Sequence, residues 1–111
     1  MLLFLNLLKR DFIEYKYRFN LQELVQVHHI IPLQWKNHAN LKDYNVYSGN
    51  NLIFLPTKKG KNILNTTRRI HEGGHIKYNE YIKEQLDLEH DPYELAYKMR
   101  LSIIRNEEIP W

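Results

Sequence analysis

Apolar and polar positions along this chain predict helices at both ends and two short strands in between. Residues 1–20 are predicted to form a helix, in which Phe12, Tyr15 and Phe19 recur at spacings of three and four. Residues 24–31 and 51–56 are apolar, and each segment meets a proline at its end, as expected for short strands. These strands could pair as an antiparallel hairpin, across a long and mainly polar connection.

The second half of the chain predicts two further helices. One follows the glycines at 73 and 74 and carries an apolar stripe made by Tyr78, Tyr81, Ile82 and Leu86. The last, within residues 91–106, is expected to begin at Pro92 behind the N-cap Asp91 and to end near Arg105. Residues 57–62 are basic and turn-like, and could lead into a helical turn. The length of 111 residues indicates a single α+β domain, residues 1–111.

Composition narrows the chemistry that is available to this chain. It has no cysteine, so disulfides and thiolate metal sites are excluded, and a bound metal ion would have to use His, Asp or Glu. Six histidines are a surplus for this length, and four of them fall in two tight pairs. The net charge of +3 is unevenly spread: residues 57–75 have five basic and one acidic residue, and residues 76–111 have five and eight. A local basic patch of this kind favours anionic partners.

The apolar start of the chain, residues 1–8, does not match an export or membrane segment. It lacks a basic leading region and a small-residue cleavage site, and eight residues are too few to cross a bilayer. We therefore expect no membrane association, and an intracellular location is favoured. The same apolar stretch could pair two copies of the chain through the N-terminal helix, as a homodimer.

Two adjacent histidines, His28 and His29, stand in the first predicted strand. Successive side chains of a strand point to opposite faces, so the two imidazoles cannot share a face unless the strand ends or bulges there. Such a pair could divide two tasks at one site, one as a metal ligand and one as a general base. The alternative is a pair of ordinary histidines at the edge of a sheet.

The second pair, His71-Glu72-Gly73-Gly74-His75, matches the zincin metalloprotease pattern, in which two ligands and a Glu base share one helix. Two consecutive glycines would cost an interior helix about 2 kcal/mol relative to alanines. The turn before the motif is also basic, whereas a buried zinc-binding helix is expected to be apolar there. Both points count against the protease interpretation.

Three segments taken together resemble a known family. They are Val27-His28-His29-Ile30-Ile31, Asn51-Leu-Ile-Phe-Leu-Pro56 and His71-Glu-Gly-Gly-His75-Ile-Lys-Tyr78-Asn79. In this order they resemble the HNH nuclease superfamily, also named ββα-metal or His-Me finger, and most closely its branch with an Ala-His-His motif. Val27 stands in place of that alanine. The resemblance implies a nuclease core over residues 25–86, built as a two-stranded hairpin plus a helix and flanked by the terminal helices.

The resemblance also implies a division of roles among these residues. His29 would be the general base, and Asn51 would tie down the long connection and orient His29 through its amide. His28, His71 and His75 would hold one divalent ion, with positions left for phosphate and water. Imidazole ligands suit zinc or nickel better than magnesium, although manganese and magnesium remain open.

Nucleic acid is the partner that this interpretation requires, DNA rather than RNA, cut with low sequence specificity. The residues expected to hold its phosphates are Lys58, Lys59, Lys61, Arg68 and Arg69. If the chain is a toxin domain, an inhibitor or immunity protein would be a further partner. Besides the protease, the alternative is an inactive module that binds metal or nucleic acid without cleavage.

Overall fold

The computed structural model describes residues 9–111, and this part of the chain contains two strands and four α-helices. Residues 1–8, which include most of the apolar stretch proposed for dimerisation, lie outside the described residues. In chain order the elements are α1 Lys9–Arg18, β1 Val25–His29, β2 Leu52–Pro56, α2 Lys58–Ile63, α3 Ile76–Asp87 and α4 Pro92–Ile104. Three short 3-10 turns lie between the strands, at Leu33–Trp35, Ala39–Leu41 and Gly49–Asn51.

The two strands pair antiparallel, with His28 opposite Ile53 and His29 opposite Leu52. Strand β1 ends at His29, three residues before Pro32, which cannot donate a ladder hydrogen bond. Because the side chains of a strand alternate between faces, the pairing directs the two imidazoles to opposite faces of the hairpin. The predicted α+β class, a hairpin plus a helix with flanking helices, is confirmed.

The long connection between the strands is held together by the buried side chain of Asn51. Its Oδ1 accepts from the backbone N–H of Ile31 and from the hydroxyl of Tyr44, both at 2.8 Å. Its Nδ2 donates to the carbonyl oxygens of Ile31, at 3.0 Å, and Val46, at 2.8 Å. With two bonds donated and two accepted, the amide is fully paired. The beginning and the end of the connection are therefore joined at one point.

The core lies between one face of the hairpin and helices α3 and α4. Tyr78, Ile82 and Leu86 of α3 are fully buried, and the Tyr78 hydroxyl donates to the backbone oxygen of Ile30. Three members of the predicted stripe are thus buried, and Tyr81 is partly buried against the same core. The remaining core side chains come from the strands, the connection and α4: Ile30, Ile31, Leu41, Tyr44, Val46, Ile53, Leu55, Leu95, Ala96, Met99 and Ile103.

The basic segment after β2 is a helix, α2, and the prediction of a turn over residues 57–62 is corrected here. The Thr57 side chain accepts from the backbone N–H of Gly60 at 3.0 Å, which is an N-cap. Gly60 is buried against the chain just before β1. A Cβ at this position would lie 1.8 Å from the backbone oxygen of Leu24. The cap and this close approach explain why the six residues form a helix despite the glycine in its interior.

The last helix was predicted correctly to within one residue at its end. Asp91 is its N-cap, since its side chain accepts from the backbone N–H of Tyr93 at 2.9 Å, and α4 runs from Pro92 to Ile104. Arg100 in its third turn donates to the backbone oxygens of Gly49, Asn50 and Leu52, at 2.8 to 3.1 Å. Helix α4 thereby supports the start of β2. Among residues 9–111, no helix has the length and apolar character needed to cross a bilayer.

Gly60→Ala tests the close packing of α2 on the chain before β1. The added methyl group would force the backbone at Leu24 away, and overpacking of this kind costs about 1–3 kcal/mol of unfolding free energy. Urea denaturation followed by circular dichroism measures the loss. Asn62→Ala, on the exposed side of the same helix, is the matched control and should change stability by less than about 0.5 kcal/mol. Equal stabilities of the two variants would contradict this packing.

Candidate metal centre

Three imidazoles from three parts of the chain meet beside the hairpin. The ring centroids of His28 and His71 are 5.2 Å apart, those of His28 and His75 5.2 Å, and those of His71 and His75 5.3 Å. One nitrogen of each ring lies within 4.8 Å of the others. In a tetrahedral zinc site the ligand nitrogens are roughly 3.4 Å apart, so small side-chain rotations would suffice to enclose an ion.

Backbone contacts bring the two later histidines to the first. The N–H of His71 donates to the carbonyl oxygen of Pro56 at 2.9 Å, which holds this segment against the end of the hairpin. His75 is the residue before α3, with φ 37° and ψ 51°. This left-handed conformation costs a side-chain-bearing residue about 1–2 kcal/mol, and such strain is concentrated at functional positions.

Side-chain amides fix the orientation of His71 and His75. Nδ1 of His71 lies 2.7 Å from Oε1 of Gln26, and Nδ1 of His75 lies 2.9 Å from Oδ1 of Asn79. An amide oxygen can only accept, so each Nδ1 carries the proton and each Nε2 keeps a free lone pair. This is the arrangement that metal-binding histidines commonly have with their supporting residues.

His28 completes the set from a buried position. Its side chain is almost wholly enclosed, and its Nε2 has no hydrogen-bond partner. Burial lowers the pKa of His28 to about 2, with smaller contributions from the other nearby imidazoles and from Arg69, and burial also lowers the pKa of His71. Both rings are therefore neutral at pH 7. An unpaired buried lone pair and neutral imidazoles suit a divalent transition-metal ion, so the residues present fit such an ion.

His29 lies outside this cluster, on the other face of the hairpin. It is half-buried, and its ring centroid is 6.5 Å from that of Tyr47. Its Nε2 is also enclosed and without a partner. Burial, followed by the positive charge of Lys9 and the nearby imidazole of His71, lowers the pKa of His29 to about 4. The ring is neutral at pH 7, and its free nitrogen can accept a proton.

Asn51 lies behind the strand end, and its amide contacts Ile31 rather than His29. The backbone oxygen of Asn51 also accepts from the N–H of Ile30 at 2.8 Å. The expectation that Asn51 ties the connection matches these bonds. The expectation that its amide orients His29 has no direct contact behind it, because the amide bonds the backbone of Ile31, two residues further along.

Four of the five basic residues expected to bind phosphate contact other groups of the protein. Lys59 pairs with Glu23 at 2.8 Å, and Lys61 donates to the backbone oxygen of Arg68. Arg68 itself donates to the backbone oxygen of Phe54 at 2.9 Å. The fourth, Arg69, lies over an indole ring, and Lys58 is exposed.

The two remaining histidines lie away from the cluster. Nε2 of His38 is 2.8 Å from a carboxylate oxygen of Asp87, and its Nδ1 accepts from the N–H of Asn40. His38 therefore holds the connection against the end of α3. His90 is exposed.

The zincin interpretation requires a helix through His71 and His75, and the structure has none there. Helix α3 begins at Ile76, and Gly73 has a φ of 66°. Glu72 is exposed in this irregular segment. The two histidines meet through a turn rather than one helical face, so the protease alternative lacks its structural basis.

Sequence reasoning assigned no role to three residues of the site. Gln26 lies two residues before His28, on the same strand face, and Asn79 lies four residues after His75, one helical turn on, so spacing could have indicated both. Trp111 could not be found in this way. Its ring centroid is 4.8 Å from that of His75 and 5.4 Å from that of His28, although it is distant from both in sequence.

A hairpin and a helix around three imidazoles, with a fourth imidazole across the strand, define a ββα-metal type of site. Comparison with protein-family models agrees with this class. Residues 13–95 match the AHH family, described as a nuclease family of the HNH/ENDO VII superfamily with conserved AHH. The chain belongs to this family, and so to a class of nucleases that act on nucleic acid with a divalent metal ion. Searches of curated proteins and of solved structures gave no match.

We expect the cluster to bind one Zn²⁺ or Ni²⁺ per chain, measured by isothermal titration calorimetry. His75→Ala should abolish this binding, since it removes one of three ligands. Gln26→Ala should weaken it about 10- to 100-fold, because the His71 ring loses its supporting amide. His90→Ala is the control and should bind as the unaltered protein does. Tight binding by His75→Ala would show that the ion lies elsewhere.

Proposed function

We propose that this protein is a metal-dependent endonuclease that hydrolyses phosphodiester bonds, with DNA as the preferred substrate and little sequence specificity. His29 is the general base, and His28, His71 and His75 hold the ion. The family gives the nuclease class, and the proposal adds the substrate, the general base and the metal ligands.

The observation that carries the proposal is the opposite orientation of two adjacent residues. His28 points into the cluster with the other two imidazoles, whereas His29 lies across the strand with an unpartnered Nε2. A base has to keep a lone pair free for a proton, and a ligand cannot. The two-residue period of the strand supports this division without a bulge.

Hydrolysis needs an activated water molecule. It also needs groups that stabilise the negative charge on the phosphate in the transition state. His29, neutral at pH 7, would accept the proton of the attacking water at Nε2, once that enclosed nitrogen is open to the water. The water oxygen bonds to phosphorus while the bond from phosphorus to the leaving oxygen breaks, and the leaving oxygen takes a proton from solvent. A divalent ion supplies charge stabilisation to the phosphate and to the leaving oxygen. Gln26 and Asn79 hold the His71 and His75 rings so that the ligand set needs little reorganisation.

The basic residues of α2 and the following segment support contacts to the phosphate backbone. Lys58 and Lys59 are exposed, and the Lys59–Glu23 pair is at the surface, so it costs little to exchange for a phosphate. Contacts to phosphates position a nucleic acid but do not read its bases. This supports cleavage with low sequence specificity.

His29→Ala tests the proposed base. Cleavage of a supercoiled plasmid, with Mg²⁺, Mn²⁺, Zn²⁺ or Ni²⁺ added in turn, should fall at least about 100-fold, because general-base catalysis contributes on the order of 10²–10⁴. Binding of the ion, measured by calorimetry, should be retained, since His29 is not in the ligand set. An RNA transcript of the same sequence, cut more slowly than the plasmid, would support the preference for DNA.

His90→Ala, an exposed histidine far from the cluster, is the matched control and should cut at the unaltered rate. A folded His29→Ala that cuts as fast as this control would contradict the assignment of the base. Absence of cleavage by the unaltered protein with every metal, together with unfolding on chelation, would instead indicate a structural metal site. Dimerisation through residues 1–8 and binding by an inhibitor protein stay predictions.

A further inference from the structure

An indole ring lies against the histidine cluster, and nothing proposed so far accounts for it. The chain continues beyond α4, and its residues Ile109 and Trp111 pack on the core. The Trp111 ring centroid lies 4.8, 5.4 and 6.2 Å from those of His75, His28 and His71. The indole is thus a neighbour of every imidazole in the proposed ligand set.

Contacts to the ring face and to the Nε1 of the indole hold Trp111 in place. The guanidinium carbon of Arg69 lies 4.0 Å from the ring centroid, over the ring, which is a cation–π contact. The indole Nε1 donates to the backbone oxygen of Glu72 at 3.4 Å. The phenol of Tyr78, with its centroid 5.4 Å away, adds a further aromatic neighbour.

In this conformation one face of the Trp111 ring is taken by a guanidinium rather than left free for a nucleobase. Imidazoles and a phenol contact the ring at tilted angles. Arg69 is occupied as well, because its guanidinium faces the indole and its Nε is enclosed without a hydrogen-bond partner. Arg69 and Trp111, which both lie beside the cluster, therefore contact each other.

We propose that residues 106–111, referred to here as the strap, close the histidine cluster through Trp111 and must move aside before a nucleic-acid phosphate can reach it. The inference rests on the proposed function, since it concerns access to that same site. In the closed state the indole packs against the three imidazoles, of which His28 is buried with its Nε2 enclosed while His71 and His75 stay half-buried, and it holds Arg69. In the open state the Nε2 of His28 becomes accessible, the exposure of His71 and His75 increases, and the Arg69 guanidinium is released to pair with a phosphate.

Closure reduces the apparent affinity for substrate by the fraction of molecules that are open. Contacts between nucleic-acid phosphates and the basic residues would offset the loss of the cation–π contact, the hydrogen bond and the core packing that hold the indole. Removal of the indole should therefore tighten substrate binding rather than weaken it. A substrate-contacting or purely structural tryptophan predicts the reverse.

The first test measures access to the cluster without metal and without activity. The metal-free protein is treated with diethyl pyrocarbonate, which modifies accessible neutral imidazoles, and the modification of each histidine is followed by peptide mass spectrometry. In Trp111→Ala the rates at His71 and His75 should rise about threefold or more, as the open fraction increases. His38 and His90 in the same molecule are internal controls, and their rates should not change.

Two further variants make this test decisive. Ile109→Ala loosens the same segment without removing the indole, so it should raise the rates at His71 and His75 less than Trp111→Ala does. Arg69→Gln removes the cation from the indole and should raise both rates by a smaller factor, which keeps the test usable if Trp111→Ala does not fold. Unchanged rates at His71 and His75 in the folded variants, or equal increases at all histidines, overturn the proposal.

The second test separates the strap from the proposed function. Binding of a fluorescently labelled DNA duplex is measured by anisotropy with EDTA present, so that no cleavage occurs. Trp111→Ala should bind about two- to tenfold more tightly than the unaltered protein. If the labelling rates rise but the unaltered protein neither binds the duplex nor cuts the plasmid with any added metal, the proposed function fails and the closure stands. If the plasmid is cut with metal, but the labelling rates and the duplex affinity do not change in the variants, the closure fails and the function stands.

Discussion

The structure depends on the alternation of side chains along one short strand. The pairing of His28 with Ile53 and of His29 with Leu52 sends one imidazole toward α3 and the other toward the opposite face. The histidine cluster depends on this alternation, because His71 and His75 lie on the His28 side of the hairpin. A shift of one residue in the register would exchange the two faces and leave His28 away from both partners. The paired strand on one side and the Asn51 amide at its end hold the register.

Much of the fold could be predicted from patterns that are local in sequence. The two strands end at or near prolines, the stripe of α3 buries Tyr78, Ile82 and Leu86, and the Asp91-Pro92 cap begins α4. The sequence of residues 57–62 predicts a basic, turn-like segment that could lead into a short helical turn, since Gly60 and Asn62 are typical of turns. The helix there depends on Thr57 as a cap and on the approach of Gly60 to Leu24, a contact between segments that are far apart in sequence.

In the candidate site, too, contacts between residues near in sequence could be predicted, whereas contacts between distant residues could not. The proximity of His28 to His71 and His75 was expected only through a family resemblance, because no spacing in the sequence relates residue 28 to residue 71. The amide supports of His71 and His75 follow from strand and helix spacing, and they could have been predicted once the ligands were assumed. The contact of Trp111 with the cluster depends on how the chain returns after α4, and no local pattern encodes that path.

The bond from the His71 N–H to the Pro56 carbonyl has a consequence for stability. It joins the segment of the later ligands to the end of β2, and pairing of β2 with β1 places His28 beside that end. The three imidazoles therefore lie together only in molecules whose hairpin is formed. An ion that binds all three favours those molecules over the others at equilibrium. Metal affinity and hairpin stability would thus be two measures of one folded state.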